Sequence, residues 1–342
     1  MKKSSAVTIN LRKLRPLFLA IAVSLVLMVS IVLSKSLPAI RLSEDSLRFF
    51  LSSNVAFSEE VFLVSGAFSF KEKAVLKESS PDEALNMPSD VKTLSTPLAK
   101  DVNSPVEISD TTDSGISYES FLSPSPPFMN DSFSVLIVHT HTTESYTPSE
   151  KHNYTPSDTD RTTDSNFNMV RVGEEIKSVL ESKGIKVYHD TSLNDHPSYS
   201  GSYNRSAKVI ESYLKKDPSI KIVLDVHRDA IEGVGGKKIK YTTDIDGEDA
   251  AKIMFVVGSN QSGLRHENWE ENMRFAVQLQ RHIQSLYPSL CRPINFRSQR
   301  FNQQLAPAGI IVEVGTNGNT LDEAILGARC FAIGLSDFLE KK

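Results

Sequence analysis

The sequence predicts an α/β domain over residues 131–342, built on a mostly parallel, twisted sheet flanked by helices. Three observations predict it. The apolar runs in Val135-Leu-Ile-Val138 and Gly309-Ile-Ile-Val-Glu-Val-Gly315 are continuous rather than alternating, as in strands covered on both faces. Such runs alternate with amphipathic segments of helical length, which implies right-handed crossovers and a parallel sheet. Histidines and carboxylates gather where the runs end, as functional residues do in open α/β sheets.

The N-terminus differs from the rest. Lys2, Lys3, Arg12, Lys13 and Arg15 precede an apolar run from Leu17 to Leu33 whose only polar residues are Ser24 and Ser30. A bilayer needs roughly 17–25 such residues. The sequence therefore predicts a cytoplasmic basic tail over 1–16 and a transmembrane anchor over 17–34. The positive charge before the run puts everything after Lys35 outside the membrane. The alternative is a cleaved signal peptide, but its apolar region is usually shorter, and no small-x-small site follows Leu33.

Residues 35–130 read as an extracytoplasmic, largely disordered stalk. They are rich in Ser, Asp, Glu and Pro and end in Phe121-Leu-Ser-Pro-Ser-Pro-Pro-Phe128. Such composition offers little apolar surface to offset chain entropy. Val55 to Phe70 is an apolar exception that suits a short helix or a docking segment.

Beyond residue 131 the elements follow in order. Val135–Val138 is a strand. Phe167 to Lys183 reads as a helix with Met169, Val172, Ile176, Val179 and Leu180 on one side, ended by Gly184. Ile185 to Tyr188 is a short strand, Tyr203 to Lys215 a helix, and Ile220 to Val226 a buried strand. Lys238–Thr243 and Lys252–Val257 flank a turn at Asp246-Gly247, which reads as a hairpin or two strands near one edge. Asn268 to Ser285 is a long helix. Gly309 to Gly315 is another buried strand, and Thr320 with Glu323 forms a capping box that opens the last helix.

With 39% hydrophobic and 8% aromatic residues the chain can build a sizeable core. A net charge of −4 gives no electrostatic reason to expect nucleic acid as a partner. Two cysteines, Cys291 and Cys330, make no disulfide framework.

Three strand ends carry chemistry. Val138-His-Thr-His-Thr-Thr-Glu144 places two histidines and a carboxylate within six residues. Asp225-Val-His-Arg-Asp229 ends a second buried strand, and Glu313 interrupts a third. Neutral imidazoles and carboxylates are the ligands of catalytic zinc, which keeps three protein ligands and one water. His141, Glu144 and His227 are the candidate ligands. A carboxylate on an apolar strand is costly unless paired or protonated, so Glu313 is the candidate general base.

Alternatives stand beside each residue. His139 could replace His141 or bond to it. Glu150 could substitute for Glu144. Glu313 could pair with Arg297 or Arg300. Arg228 and Asp229 read as supports rather than ligands. Arg205 suits either a substrate carboxylate or an anchor for its own helix. His152, His196, His266 and His282 read as structural, while His189 ends a strand and stands between the two readings.

These motifs resemble the stage II sporulation protein P family of cell-wall hydrolases. The resemblance rests on His139-Thr-His141 with Thr-Glu144-Ser-Tyr, Asn168-Met-Val-Arg-Val-Gly173, Ser202-Tyr-x-Arg-Ser206, Asp225-x-His-Arg-Asp229 and Gly309-Ile-Ile-Val-Glu313-x-Gly-Thr-Asn317. More distantly the chain is similar to zinc-dependent N-acetylmuramoyl-L-alanine amidases, with a phosphorylase/hydrolase-like fold. In those enzymes a Glu opens the first helix; here that stretch reads Asp164-Ser-Asn-Phe-Asn168, and Glu144 takes its place as middle ligand. The resemblance implies Zn2+ as cofactor and peptidoglycan as substrate. The bond implied is the amide between muramic acid and L-alanine, with peptide cross-links also linked to the family. It further implies work between mother cell and forespore during engulfment, beside stage II sporulation proteins D and M. The rival readings are a zinc peptidase or carboxypeptidase of the wall and a non-catalytic wall-binding scaffold. A nucleophilic hydrolase finds no Gly-x-Ser-x-Gly elbow.

Overall fold

Val135, Leu136, Ile137 and Val138 are all fully buried, as a strand covered on both faces requires. They form β3 (Ser134–Val138), second from one edge of a seven-stranded sheet. The computed structural model describes residues 91–95, 106–112, 114–130, 132–157 and 159–340. All of them fall in one compact unit, Glu72–Lys342. The anchor expected at 17–34, the Val55–Phe70 segment and most of the expected stalk lie outside the described residues. Among the described residues no helix is long and apolar enough to cross a membrane.

The main sheet runs in the order β2 (Ile108–Asp110), β9 (Ile294–Arg297), β8 (Ile253–Gly258), β10 (Ala308–Thr316), β5 (Ile220–Asp229), β3 and β4 (Val187–His189). Every neighbouring pair is parallel except β8 with β10. The mostly parallel sheet expected from the sequence is therefore present, as two parallel blocks of opposite direction that meet at β8 and β10.

Four helices cover it: α1 (Met169–Ser182), α2 (Ser202–Lys216), α3 (Trp269–Leu286) and α4 (Leu321–Glu340). One sheet face carries Ile137, Leu224, Val226, Phe255, Val312 and Val314, which share a core with side chains of α1, α3 and α4. The opposite face carries Leu136, Val138 and Val223, which pack with Ile210 of α2. Two of the four helix starts follow capping chemistry. Asn168 accepts from the Val170 N–H before α1, and Thr320 and Glu323 exchange side-chain bonds with each other's backbone N–H before α4.

Two expectations are corrected. Asp246-Gly247 does turn a hairpin, but its arms are β6 (Lys238–Ile245) and β7 (Glu248–Ala251). These form a separate small sheet with β1 (Val91–Ser95). The segment expected as the second arm is β8, which lies inside the main sheet. A short apolar run that follows a turn looks the same in either place. The stalk expected to reach residue 130 also ends sooner. β2 pairs with β9, and Val106, Phe121, Phe128 and Met129 are buried in the main core. Phe121 meets Trp269 edge-on at 6.4 Å, and Phe128 meets Phe275 at 5.8 Å. Gln278 donates to the Phe121 and Pro124 carbonyls. A few large apolar residues spread among Ser and Pro supply the anchoring, and average composition hides them. Each contributes about 1.5–3 kcal/mol when fully buried.

Candidate metal and catalytic site

β3 ends at Val138, and the chain turns at once under the control of Asp225. The Thr140 N–H donates to Asp225 Oδ1 at 2.7 Å and the Thr140 hydroxyl to Oδ2 at 2.6 Å. This turn delivers His141 beside His227, with ring centroids 5.2 Å apart and planes near perpendicular. Both imidazoles are buried. His141 Nε2 lies 3.1 Å from the Tyr199 hydroxyl, while its Nδ1 is enclosed and has no hydrogen-bond partner. His227 Nε2 lies 2.8 Å from Asp225 Oδ1, out of line for a hydrogen bond, and its Nδ1 lies 3.5 Å from Glu144 Oε2.

Glu144 is itself buried. It accepts from the Arg228 N–H at 3.3 Å and lies 3.6 Å from the Arg161 guanidinium. Glu313 stands directly opposite His227 in the β10–β5 register, and its Oε2 is enclosed without a partner. A register shift follows between Glu313 and Thr316, with Gly315 at φ +67° between them. The Tyr146 hydroxyl donates to the Val314 carbonyl at 2.9 Å and ties the 144–147 segment to this strand.

The electrostatics sort these groups. Burial pushes the His141 imidazole down to about 3, despite the opposing pull of Glu144, so at neutral pH it keeps its lone pair. Burial also opposes charge on His227, but Asp225 and Glu144 overcome it and hold its proton affinity well above the usual histidine range. Against burial, the neighbouring His227 and the Arg228 charge hold Glu144 below the usual carboxylate range. Burial, reinforced by Asp229, pushes Glu313 up to about 8. Negative charge therefore gathers here around a proton on His227, where a cation would satisfy more groups.

Among the described residues no three His, Cys, Asp or Glu side chains close on a metal position as they stand. Glu144 is turned to His227 and Arg228 instead. The donor types are nonetheless those of zinc: a bare enclosed imidazole nitrogen, a second imidazole and a carboxylate.

The remaining candidates fall into place. His139 does not bond to His141. Its Nδ1 donates to the Val226 carbonyl at 2.9 Å, its Nε2 meets His189 Nε2 at 2.9 Å, and burial pushes it down to about 3. His139 and His141 diverge because the strand ends before them, so period-2 alternation no longer applies. His189 also faces Glu174 at 3.3 Å. Arg228 donates to the Ser145 and Asp160 carbonyls and shapes the loop that carries Glu144. Arg205 donates to the carbonyls of Asn194, Ser198 and Ser200, so it anchors a loop. Glu150 is exposed, and Arg300 donates to the Arg265 carbonyl. Asp229 pairs with Arg292 at 2.9 Å.

Sequence reasoning gave no role to Asp225, Arg161, Asp195 or Tyr199. Asp225 had a signal, because it lies two residues before His227 on one strand and so shares its face. The other three sit in loops, where no periodicity points to them.

A family model described as stage II sporulation protein P (SpoIIP) matches residues 58–336. Stage II sporulation protein P of Bacillus subtilis (strain 168) is 30% identical over 200 residues, covering 55% of this chain and 47% of that protein. The chain thus spans about half the length of the curated relative it matches. Among solved structures, the N-acetylmuramyl-L-alanine amidase Ami1 from Mycobacterium smegmatis is similar at 13% identity and a TM-score of 0.38. That match covers 61% of this chain and 98% of Ami1. The catalytic domain of the amidase CwlV from Bacillus (Paenibacillus) polymyxa is similar at 13% identity and a TM-score of 0.37, covering 61% and 100%. The CwlD amidase from Clostridioides difficile, solved in complex with the GerS lipoprotein, gives 10%, 0.36, 61% and 100% in the same order.

Proposed function

This chain belongs to the stage II sporulation protein P family, and on that footing we propose that it is a zinc-dependent peptidoglycan hydrolase. The bond cut is the amide between N-acetylmuramic acid and the L-alanine of the stem peptide. One observation carries the reading: the enclosed, partnerless Nδ1 of His141, beside His227, Glu144 and the partnerless Oε2 of Glu313. A buried nitrogen without a partner is costly, and a metal ion accounts for it.

His141, His227 and Glu144 would hold the ion. Bound zinc supplies a water of pKa about 7 and a Lewis acid for the substrate carbonyl. Glu313 removes a proton from the attacking water as its oxygen bonds to the amide carbon. The carbon–nitrogen bond then breaks, and Glu313 returns the proton to the leaving alanine nitrogen. Asp225 sets its negative charge 2.8 Å from His227 Nε2 and fixes the turn that carries His141. Arg228 holds the Ser145 and Asp160 carbonyls and so shapes the loop that carries Glu144.

The same proposal puts the catalytic domain outside the membrane, held by the apolar run at 17–34. There it acts on septal wall between mother cell and forespore, beside stage II sporulation proteins D and M. The test is mass spectrometry of fragments released from purified peptidoglycan, with and without a chelator. Release of intact stem peptides with a free L-alanine amine, abolished by chelation, is expected. Cleavage only within the peptides would replace the amidase reading with a peptidase. No release by the zinc-loaded chain would leave the wall-binding scaffold.

A further inference from the structure

Tyr199 is the aromatic neighbour closest to His141. The two rings stack with centroids 4.4 Å apart and planes 8° apart, and the hydroxyl reaches Nε2 at 3.1 Å. A ring stacked in this way cannot rotate about its Cβ–Cγ bond without losing the contact. The Arg161 guanidinium carbon lies 5.0 Å from the Tyr199 centroid. Arg161 is pinned in turn by the buried Asp195 carboxylate at 2.6 Å. Asp195 also accepts from the Thr143 N–H and hydroxyl, two residues beyond His141.

The loop that carries Tyr199 is held just as firmly. Arg205 donates to the carbonyls of Asn194, Ser198 and Ser200. The Asn194 side chain donates to the His139 carbonyl at 3.0 Å, and its N–H donates to the Thr142 hydroxyl at 3.1 Å. Both ends of the Tyr199–His141 contact are therefore fixed to the same turn.

The tautomer follows from the partners. A neutral imidazole carries one proton. If Nδ1 is to offer a lone pair, Nε2 must carry the hydrogen, and the group facing Nε2 must accept it. We infer that Tyr199 is the positioning residue of the metal site: its hydroxyl accepts the His141 Nε2–H, leaves Nδ1 bare, and its ring sets the plane of the imidazole. The inference rests on the reading of His141 as a ligand. Ligating histidines usually give their other nitrogen to a carboxylate, carbonyl or water, and losing such a partner typically costs 10–100-fold in metal affinity or activity. For His141 that partner is the Tyr199 phenol.

The test measures zinc affinity of the full-length chain in detergent, by competition with a chromogenic chelator, for wild type, Tyr199→Phe and Tyr199→Leu. Thermal unfolding of each metal-free chain is measured alongside. Tyr199→Phe keeps the stack and loses the hydroxyl. We expect its zinc affinity to fall about 10–100-fold while the metal-free melting temperature stays that of wild type. Tyr199→Leu removes the stack as well and falls at least as far. A Tyr199→Phe chain that binds zinc like wild type overturns the inference and leaves the zinc reading standing. So does a loss of affinity matched by an equal fall in metal-free stability, since that marks a structural role. A wild-type chain that binds no zinc refutes the metal reading and the inference with it.

Discussion

Glu313→Gln separates two things the carboxyl does, and the stability of the metal-free chain isolates one of them. Burial raises Glu313 from an ordinary 4.5 to about 8, and the Asp229 charge adds to the effect. The native state therefore holds this proton more tightly than the unfolded chain. For an acid shifted upward, the stabilisation is fully present below 4.5 and is lost as pH rises toward 8. At about 1.4 kcal/mol per pH unit, that window bounds the contribution of Glu313 at roughly 5 kcal/mol. The residue keeps some exposed surface and its neighbours can relax, so about 2–4 kcal/mol is the expected share. Gln fills the same space and does not titrate. Urea unfolding of both chains in chelator, from pH 5 to 9, gives the comparison. Wild type should lose stability relative to Glu313→Gln across this window, and added zinc should shrink the difference, because a nearby cation favours the carboxylate. Parallel pH profiles for the two chains would refute a buried, proton-holding Glu313 and remove the base from the mechanism.

Other outcomes follow from the same geometry. Glu313→Gln should keep its zinc while the rate on peptidoglycan falls by about 10²–10⁴, the usual worth of general acid–base catalysis; loss of zinc would make the residue a ligand. His141→Ala and His227→Ala should each lose zinc and activity yet unfold cooperatively, because the core does not depend on these side chains; metal analysis with turnover checks this. A reporter fused after Lys342 should be active only outside the membrane, and cytoplasmic activity would contradict the topology. Gly173→Ala should destabilise by about 1–2 kcal/mol despite the gain of about 1 kcal/mol expected for alanine in a helix. Its Cβ would lie 2.5 Å from His189 Nε2 and 2.7 Å from His139 Nε2, and a more stable variant in a urea titration would show those rings are free to move.

Much of the fold was legible because its elements are long and strongly patterned. Helix α1 was expected over 167–183 and spans Met169–Ser182, with Met169, Val172, Ile176 and Leu180 buried as the spacing required. β2 could not be read, since three residues carry no period. The place of β8 could not be read either, because the reversal of direction beside β10 leaves no mark in an apolar run. At the site, His141, Glu144, His227 and Glu313 were visible as polar residues at strand ends and on an apolar strand, and the first, second and fourth neighbour His227 without closing on a metal position. Tyr199, Arg161 and Asp195 come from loops whose course is set by contacts with Arg205 and Thr143, and such contacts have no local signature.

The register of two strands explains why the chemistry assembles at all. On β5, Asp225 and His227 lie two apart and share a face, while Leu224 and Val226 point into the three-helix core. On β10, Glu313 pairs with His227, and Ile311 pairs with Asp225. Val312 and Val314 belong to the same core as Val226. A slip of β10 by one residue would exchange these sets. It would drive Glu313 between α1, α3 and α4 and bring Val312 and Val314 out toward the site. Burying a carboxylate there without a partner costs several kcal/mol, and two valines lose their burial as well. The apolar pattern that fixes the register therefore also aims the base at the histidine. This is why so polar a residue as Glu313 can sit within an otherwise apolar strand, and why replacing it should change chemistry while the strand keeps its place.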